Sequence, residues 1–290
     1  MCPCVLWRVV IVASFLLGKF KAAIEVYNEA NRAQGDDRDV FFNLGLCYRQ
    51  LQLYEKSISS FKHANDISRN EETFQQIGRT YALQEDYKNA VATYLEALQF
   101  SNDNEELLSA MGLLYLRLGE PGKAFNYLER ALARNPSNPK VILAAGSIIQ
   151  DRNDMDKALL KYRVAALKTP NSAQLWNNIG MCFFGKQRHV AAIACLKKAL
   201  YLDSFEWIIS YNLGLVYLNT RQYASAFHFL SASINLKPDF PSSFMYLAIV
   251  LSRLNDFDNA CNSYEKAIAM EEVRVNFSSF FLLCACCCNF

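Results

Sequence analysis

The sequence predicts an all-α protein, a right-handed superhelical solenoid of antiparallel helix hairpins. Three observations carry this prediction. Glycine recurs inside apolar segments at intervals of 33 or 34 residues, apolar residues around it follow the spacing i, i+3, i+4 and i+7, and alanine recurs in a second helical segment of each interval. A fixed period of this size is typical of solenoids, in which each repeat packs on its neighbours.

Composition excludes some classes of protein. The chain has 290 residues, of which 52% are hydrophobic, and its 30 basic and 28 acidic residues leave a net charge of only +2. A single globular core of this length would be near the upper limit, but a repeat array has no such limit. Nucleic-acid binding requires an excess of basic residues to neutralise phosphates, so we expect no nucleic-acid partner.

The first helix of each repeat is built around the glycine, which we number position eight. The recurring glycines are Gly45, Gly78, Gly112, Gly146, Gly180 and Gly214. Apolar residues at positions four, seven and eleven, such as Trp176, Ile179 and Phe183, form one face of a helix. Glycine inside a helix costs about 1 kcal/mol relative to alanine. We therefore expect a packing reason for its presence.

The second helix supplies that reason. Alanine stands at position twenty in Ala90, Ala124, Ala158, Ala192, Ala226 and Ala260. A large apolar residue follows at position twenty-four, alanine at twenty-seven and, in three repeats, proline at thirty-two, where it stops the helix. Small residues let two helices approach closely, so we expect Gly180 to face Ala192. Small–small–large–proline at these spacings is the tetratricopeptide signature.

The repeat period divides the chain into three parts. Residues 1–37 predict a partial hairpin whose first helix is divergent, residues 38–274 predict seven complete repeats, and residues 275–290 leave the pattern. The seven repeats are predicted at about 38–70, 71–104, 105–138, 139–172, 173–206, 207–240 and 241–274.

The two ends of the chain depart from the pattern. Residues 5–17 are apolar apart from Arg8, but the segment is too short to span a bilayer and continues in register into a repeat, so a helix is favoured over a signal peptide. The tail contains four clustered cysteines without the second pair or histidine of a closed zinc site. Acylation of these cysteines is the alternative to a truncated or mis-spliced end.

Residues that carry catalytic chemistry are scarce. The three histidines, His63, His189 and His228, lie in different repeats, and no glycine-rich loop that binds phosphate is present. The four interior cysteines lie on helical segments at no metal-binding spacing, and we interpret all four as small buried hydrophobic residues. We expect no metal, no cofactor and no enzymatic activity.

A second apolar stripe occupies positions five, nine and twelve of the first helices, about a third of a turn from the core face. We predict that it lines the concave groove of the solenoid and binds a helix or extended segment of a partner. The alternative is that superhelical curvature buries it between neighbouring helices. Including two asparagines at position six, the candidate residues are Phe42, Leu46, Leu113, Leu116, Leu143, Asn178, Met181, Phe184, Asn212, Leu215, Leu218 and Ile249.

Several segments go beyond the repeat consensus and resemble the Bardet–Biedl syndrome 4 family. The most specific are "LWNNIGMCFFGK" at 175–186 and "QYASAFHFLSASIN" at 222–235, and the resemblance extends from about residue 16 to 270. Further matching segments lie at 16–30, 111–119, 142–150, 161–166 and 211–218. The resemblance implies that members of this family are longer at both ends.

The resemblance implies a non-catalytic subunit of the BBSome, a coat-like complex that carries membrane proteins to and from cilia. It implies other BBSome subunits and centriolar-satellite or motor-adaptor proteins as partners, and contact with membranes only through the complex. The implied locations are the cytoplasm, the centrosome and centriolar satellites, the ciliary basal body and the cilium.

Two other functions known for such repeats require particular residues at positions five, six and nine. A chaperone adaptor that clamps a C-terminal carboxylate requires lysine at position five and asparagine at position nine, and no repeat here has either. The repeat arm of a glycosyltransferase uses an asparagine ladder at position six, which is only partial here, in Asn43, Asn178 and Asn212. A generic co-chaperone or adaptor that binds peptide segments remains the alternative function.

Overall fold

The computed structural model describes residues 19–35, 37–101 and 103–272, and within these ranges the regular structure is entirely α-helical. The divergent first helix and the cysteine-rich tail lie outside the described residues. The helices are α1 (Phe20–Gln34), α2 (Arg38–Gln50), α3 (Tyr54–Ile67), α4 (Glu71–Leu83), α5 (Tyr87–Leu98), α6 (Glu105–Arg117), α7 (Pro121–Arg134), α8 (Pro139–Asp151), α9 (Met155–Lys168), α10 (Ala173–Gly185), α11 (His189–Leu202), α12 (Trp207–Asn219), α13 (Tyr223–Leu236), α14 (Pro241–Arg253) and α15 (Phe257–Glu272).

The chain divides into two compact units, Met1–Ile148 and Ile149–Phe290, which we call the first and second unit. In the first unit, α2 pairs with α3, α4 with α5 and α6 with α7 as helix hairpins, and each hairpin contacts the next. In the second unit, α10 pairs with α11, α12 with α13 and α14 with α15. Here the first helices also contact each other directly, α10 with α12 and α12 with α14. The predicted all-α repeat fold is confirmed.

The turn inside each repeat has one backbone conformation. The residue at position fifteen has a positive φ in all seven repeats, from 59° to 73°. Only Gly119 is the residue type that adopts this region without steric cost, and the other repeats place residues such as Glu85 and Gln187 there. The hairpin packing on either side therefore imposes this conformation on side chains that do not favour it.

The core contains the recurring small residues. All six glycines at position eight and all six alanines at position twenty are buried. The side chain that faces the glycine is nevertheless the large one at position twenty-four, because a Cβ added to Gly180 would lie 2.7 Å from Cγ of Leu196. Ala192 contributes its backbone carbonyl oxygen, 3.3 Å from that Cβ. The glycine thus makes room for the Leu196 side chain. The predicted contact with the Ala192 side chain is replaced by one with its backbone oxygen.

The interior cysteines do not all share one environment. Cys47 and Cys182 are buried, and burial raises the pKa of their thiols to about 11 and about 12, so they remain protonated. Cys195 is partly buried. Cys261 is exposed, so its interpretation as a buried residue was wrong. It occupies position twenty-one, next to the alanine that the second helix buries, and this position turns outward.

Candidate functional site

The predicted stripe at positions five, nine and twelve keeps access to solvent in both units. In the first unit Leu113 is exposed and the other four residues are partly buried. In the second unit all five apolar residues are partly buried, on α10, α12 and α14. These residues are Met181, Phe184, Leu215, Leu218 and Ile249. Because α12 contacts both of the other helices, the stripe of the second unit crosses three adjacent helices.

The two asparagines of the candidate site have different environments. Asn212 is buried, and its side-chain amide donates a hydrogen bond of 2.8 Å to Oδ1 of Asn177 in the preceding repeat. This amide joins neighbouring first helices, so Asn212 is corrected from a groove residue to a packing residue. Asn178 is partly buried, accepts from Asn177 at 3.3 Å and donates to the Tyr162 hydroxyl at 3.5 Å.

An aromatic cluster extends the stripe of the second unit. The ring centroids of Trp207 and Phe240 are 4.6 Å apart, those of Tyr211 and Phe240 are 5.4 Å apart, and those of Tyr211 and Tyr246 are 5.9 Å apart. All four side chains are partly buried. The sequence analysis did not identify them, because Trp207 and Phe240 lie outside the repeat consensus. The sequence does contain a sign of the cluster: Trp207 and Phe240 are 33 residues apart, at the starts of two successive first helices.

The electrostatics of this cluster fit binding better than proton transfer. The pKa of the Tyr211 hydroxyl is raised to about 12, mainly by burial and secondarily by the neighbouring Tyr246, against the lowering effect of a hydrogen bond with Ser242. The ammonium of Lys237 lies 4.7 Å from the centroid of the Trp207 ring. The hydroxyl of Tyr211 therefore stays neutral at physiological pH and can act only as a hydrogen-bond donor or acceptor.

The equivalent surface of the first unit is polar. Arg49, at position twelve of α2, donates a hydrogen bond of 2.5 Å to Oε1 of Gln76 in the next repeat. Arg79, at position nine of α4, forms an ion pair with Glu106 of α6. Burial, and secondarily the charge of Arg79, lower the pKa of Arg49. These polar contacts interrupt the apolar stripe between α2 and α6.

The residue before each first helix also differs between the units. In the first unit Asn104 donates a hydrogen bond of 2.5 Å to Glu71, and Asn138 donates one of 2.6 Å to Glu105. Both pairs are 33 residues apart and link the starts of successive first helices. In the second unit the pair at the same spacing is Phe240 and Trp207, whose rings are in contact. The same structural position is therefore filled by hydrogen bonds before α6 and α8 of the first unit and by aromatic packing before α14 of the second.

Neither a metal site nor a membrane-spanning helix is present in the described ranges. No group of three or more His, Cys, Asp or Glu side chains that could hold a metal ion is found there. Among the same residues, every helix is too short or too polar to cross a bilayer.

Models of the tetratricopeptide repeat match much of the chain. Matches described as "Tetratricopeptide repeat" cover residues 39–71, 105–148, 173–205, 209–240 and 243–273. A further match, described as "TPR repeat", covers residues 78–119.

Curated relatives carry a more specific name. The chain is 48% identical to BBSome complex member BBS4 of Bos taurus over 89% of its own length, and 49% identical to that of Mus musculus over the same share. It is 35% identical over 88% of its length to the BBS4 homolog of Drosophila melanogaster. The chain spans about half the length of these relatives, 50% of the two mammalian proteins and 55% of the fly protein.

Solved structures of tetratricopeptide-repeat proteins share the fold. A repeat protein from Parabacteroides merdae superimposes with a TM-score of 0.68 over 81% of this chain and 95% of its own, at 15% identity. The APC/C hetero-tetramer Cut9–Hcn1 superimposes with a TM-score of 0.65 over 83% of this chain and 48% of the matched chain, at 18% identity. At these identities the likeness concerns the fold alone.

Proposed function

The chain belongs to the tetratricopeptide-repeat family and, within it, to the Bardet–Biedl syndrome 4 family, and from this premise we propose that it is a non-catalytic scaffold subunit of the BBSome. The curated relatives are named as members of this complex, which supports the assignment. The finer proposal is that the chain acts in ciliary membrane-protein trafficking and cilium assembly. Its partners are other BBSome subunits and centriolar-satellite or motor-adaptor proteins.

One observation carries the proposed binding role. The apolar stripe of the second unit lies on three adjacent first helices, and none of its five apolar side chains is buried. Each first helix already buries another face in the core, as Leu175 of α10 and Leu213 of α12 show at 0% exposure. A helix that is apolar on two faces and buries only one marks an interaction site.

The aromatic cluster indicates what chemistry the proposed partner has. Trp207, Tyr211, Phe240 and Tyr246 add flat apolar area and two phenolic hydroxyls beside the stripe. Tyrosine and tryptophan combine contact area with hydrogen-bonding capacity and are enriched at protein interfaces. We infer that a helix or extended segment of another subunit binds here, with apolar side chains on the stripe and backbone groups at the hydroxyls.

The test is a double substitution in the stripe. Phe184→Asp with Leu218→Asp places two carboxylates on adjacent first helices, and co-purification with tagged BBSome subunits should fall by at least about tenfold. The matched control is Leu254→Asp with Phe257→Asp, which alters two exposed apolar residues of the same unit outside the stripe. Circular dichroism measures whether either variant loses helix.

The outcomes separate three cases. Loss of co-purification in the stripe variant alone, with the helical signal retained, supports the proposal. Normal co-purification of a folded stripe variant rejects the stripe as the interface. If the variant unfolds, the stripe is part of the core, and Tyr211→Ala with Tyr246→Ala then tests the aromatic cluster in its place.

The proposed locations are the cytoplasm, the centrosome with its satellites, the basal body and the cilium. A fluorescently tagged chain expressed in ciliated cells should colocalise with basal-body and satellite markers. Retention of that pattern after the stripe substitutions would show that another surface directs localisation.

A further inference from the structure

A run of basic residues covers the second helices α9 and α11. From residue 157 to residue 202 the sequence contains eight lysines and arginines and neither aspartate nor glutamate. They are Lys157, Lys161, Arg163, Lys168, Lys186, Arg188, Lys197 and Lys198. The net charge of the whole chain is only +2, so this segment is a local concentration of positive charge.

Internal contacts neutralise only part of this charge. Lys157 pairs with Asp154 at 2.7 Å, and Lys186 pairs with Asp156. Lys198 lies 3.6 Å from the centroid of the Trp176 ring. Arg163 and Arg188 are exposed, and neither side chain forms an ion pair or hydrogen bond within the described part of the chain.

An apolar stripe runs beside these arginines on α9. Leu160, Val164 and Leu167 are 60%, 41% and 85% exposed, and they follow the spacing i, i+4 and i+7 on one face of the helix. The buried face of α9 is formed by other residues, among them Tyr162 at 0% exposure. An exposed apolar stripe with basic flanks is unusual on a surface helix and points to an interaction.

A cleft of about 280 Å³ opens at one end of this stripe. Its apolar lining is Leu159, Leu160 and Phe183. Its cations are Arg163, Lys186 and Arg188, with Asp156 paired to Lys186. The volume is at the small end for a pocket that binds a whole small molecule. It suits one apolar side chain of a larger ligand, with Arg163 and Arg188 placed to bind carboxylates beside it.

We propose that the cleft and the adjoining stripe on α9 bind an acidic amphipathic helix of a partner protein. Its apolar side chains, spaced three and four residues apart, would contact Leu160, Val164 and Leu167, and one would enter the cleft. Its aspartates or glutamates would pair with Arg163 and Arg188. Charge complementarity identifies the occupant, because Asp156, the only carboxylate among the residues that line the cleft, pairs with Lys186 and leaves both arginines available.

The shape of the site favours a helix over an anionic bilayer. A cleft accepts a protruding side chain, and a flat array of lipid headgroups provides none. This site is also separate from the stripe proposed above, since none of the residues that line the cleft belongs to that stripe. The inference therefore does not depend on membership of the BBSome.

The experiment is a differential peptide selection on the full chain. A random library of displayed peptides of about 16 residues, long enough for four helical turns, is selected against the protein and against its Arg163→Glu/Arg188→Glu variant. Acidic amphipathic sequences should be enriched on the parent. Synthetic copies should bind the variant at least about tenfold more weakly by fluorescence anisotropy. Leu160→Gln with Leu167→Gln should weaken the same peptides, because it removes apolar contact without changing charge.

The matched control is Arg221→Glu with Arg253→Glu, which reverses two exposed charges of the same unit outside the cleft. This control should keep the parent's affinity. The proposal fails if the enriched peptides are not acidic, or if the cleft variant and the control bind them equally. It also fails if vesicles of phosphatidylcholine and phosphatidylserine, but no peptide, bind in an Arg163- and Arg188-dependent way. Sedimentation that shows a dimer lost in the cleft variant, without peptide binding, would instead assign the site to a second copy of the chain.

Discussion

The two units fill the same repeat positions with different chemistry. At the start of first helices in the first unit, Asn104 and Asn138 donate hydrogen bonds to glutamates at the start of the preceding first helix. In the second unit Phe240 takes that position and packs on Trp207. A solenoid requires only that successive hairpins be held at a constant spacing. Hydrogen bonds and aromatic contacts both meet this requirement, so the repeat leaves the chemistry of its surface free to vary.

The difference determines what each surface offers a ligand. Arg49, Gln76, Arg79 and Glu106 of the first unit pair with one another, so a ligand would have to break these contacts to bind there. In the second unit the apolar stripe is only partly buried and forms no such polar contacts, so it leaves apolar area that a ligand can cover. Partner binding is therefore proposed for the second unit.

The largest expected effect concerns a contact that both units share, between the glycine at position eight and the large side chain at position twenty-four. Leu128 and Leu196 are fully buried and face Gly112 and Gly180, so Leu128→Ala and Leu196→Ala should each lower the free energy of unfolding by about 2–5 kcal/mol. Gly180→Ala alone should cost about 1–3 kcal/mol, because its Cβ would overlap Leu196. Urea denaturation measures all of these variants.

The double variant Gly180→Ala/Leu196→Ala completes the cycle. Since Leu196→Ala vacates the space, the added methyl group should cost nothing in that background. Additive losses would mean that the glycine is required for a reason other than the side chain at position twenty-four.

The next effect concerns the residue before a first helix, which is aromatic at Phe240 and polar at Asn138. Phe240→Ala removes the ring contact with Trp207 and should lower the free energy of unfolding by about 1–3 kcal/mol. Asn138→Ala removes a helix cap and the bond to Glu105 and should cost about 0.5–2 kcal/mol. Raising the salt concentration should leave the loss of stability in Phe240→Ala unchanged and should reduce the loss in Asn138→Ala. Equal salt dependence would contradict the contrast between aromatic and polar contacts.

A smaller effect is expected at alkaline pH. The pKa of Tyr211 is raised from 10.0 to about 12 mainly by burial, so between these values the unfolded state releases its proton first. The stability that the neutral hydroxyl contributes is complete below pH 10 and is lost as pH rises through about 12. Tyr211→Phe should make the urea midpoint less sensitive to pH in this window. The exposed Tyr201→Phe is the control and should change nothing.

The smallest effect is expected at the ion pair of the first unit. Arg79 and Glu106 are 42% and 61% exposed, so water and salt screen their attraction. Arg79→Ala should lower the free energy of unfolding by less than about 1 kcal/mol, and the loss should vanish in high salt. A loss above this value that persists in salt would show that the pair is part of a larger network and would strengthen the polar description of this surface.

The sequence alone predicted the architecture well, because the evidence for it is repeated. Glycine and alanine recur at one spacing, so a single ambiguous segment such as that around Ile142 is interpreted from its neighbours. The candidate site was harder to predict. The apolar stripe followed from helical geometry, but Asn212 was misassigned because its hydrogen-bond partner, Asn177, is 35 residues away. The aromatic cluster was missed because two of its members lie just outside the repeat consensus.

The sequence by itself determined the all-α repeat fold, since the periodic burial of small and large residues is a local pattern that only stacked helix hairpins satisfy. The tertiary structure decided which side chain faces which. It placed Leu196 rather than the Ala192 side chain against Gly180, turned Cys261 outward, and brought Arg163 and Arg188 to one cleft with Phe183. These relations depend on how adjacent hairpins approach one another, and a periodic pattern specifies the face of a helix but not the depth and angle of its packing.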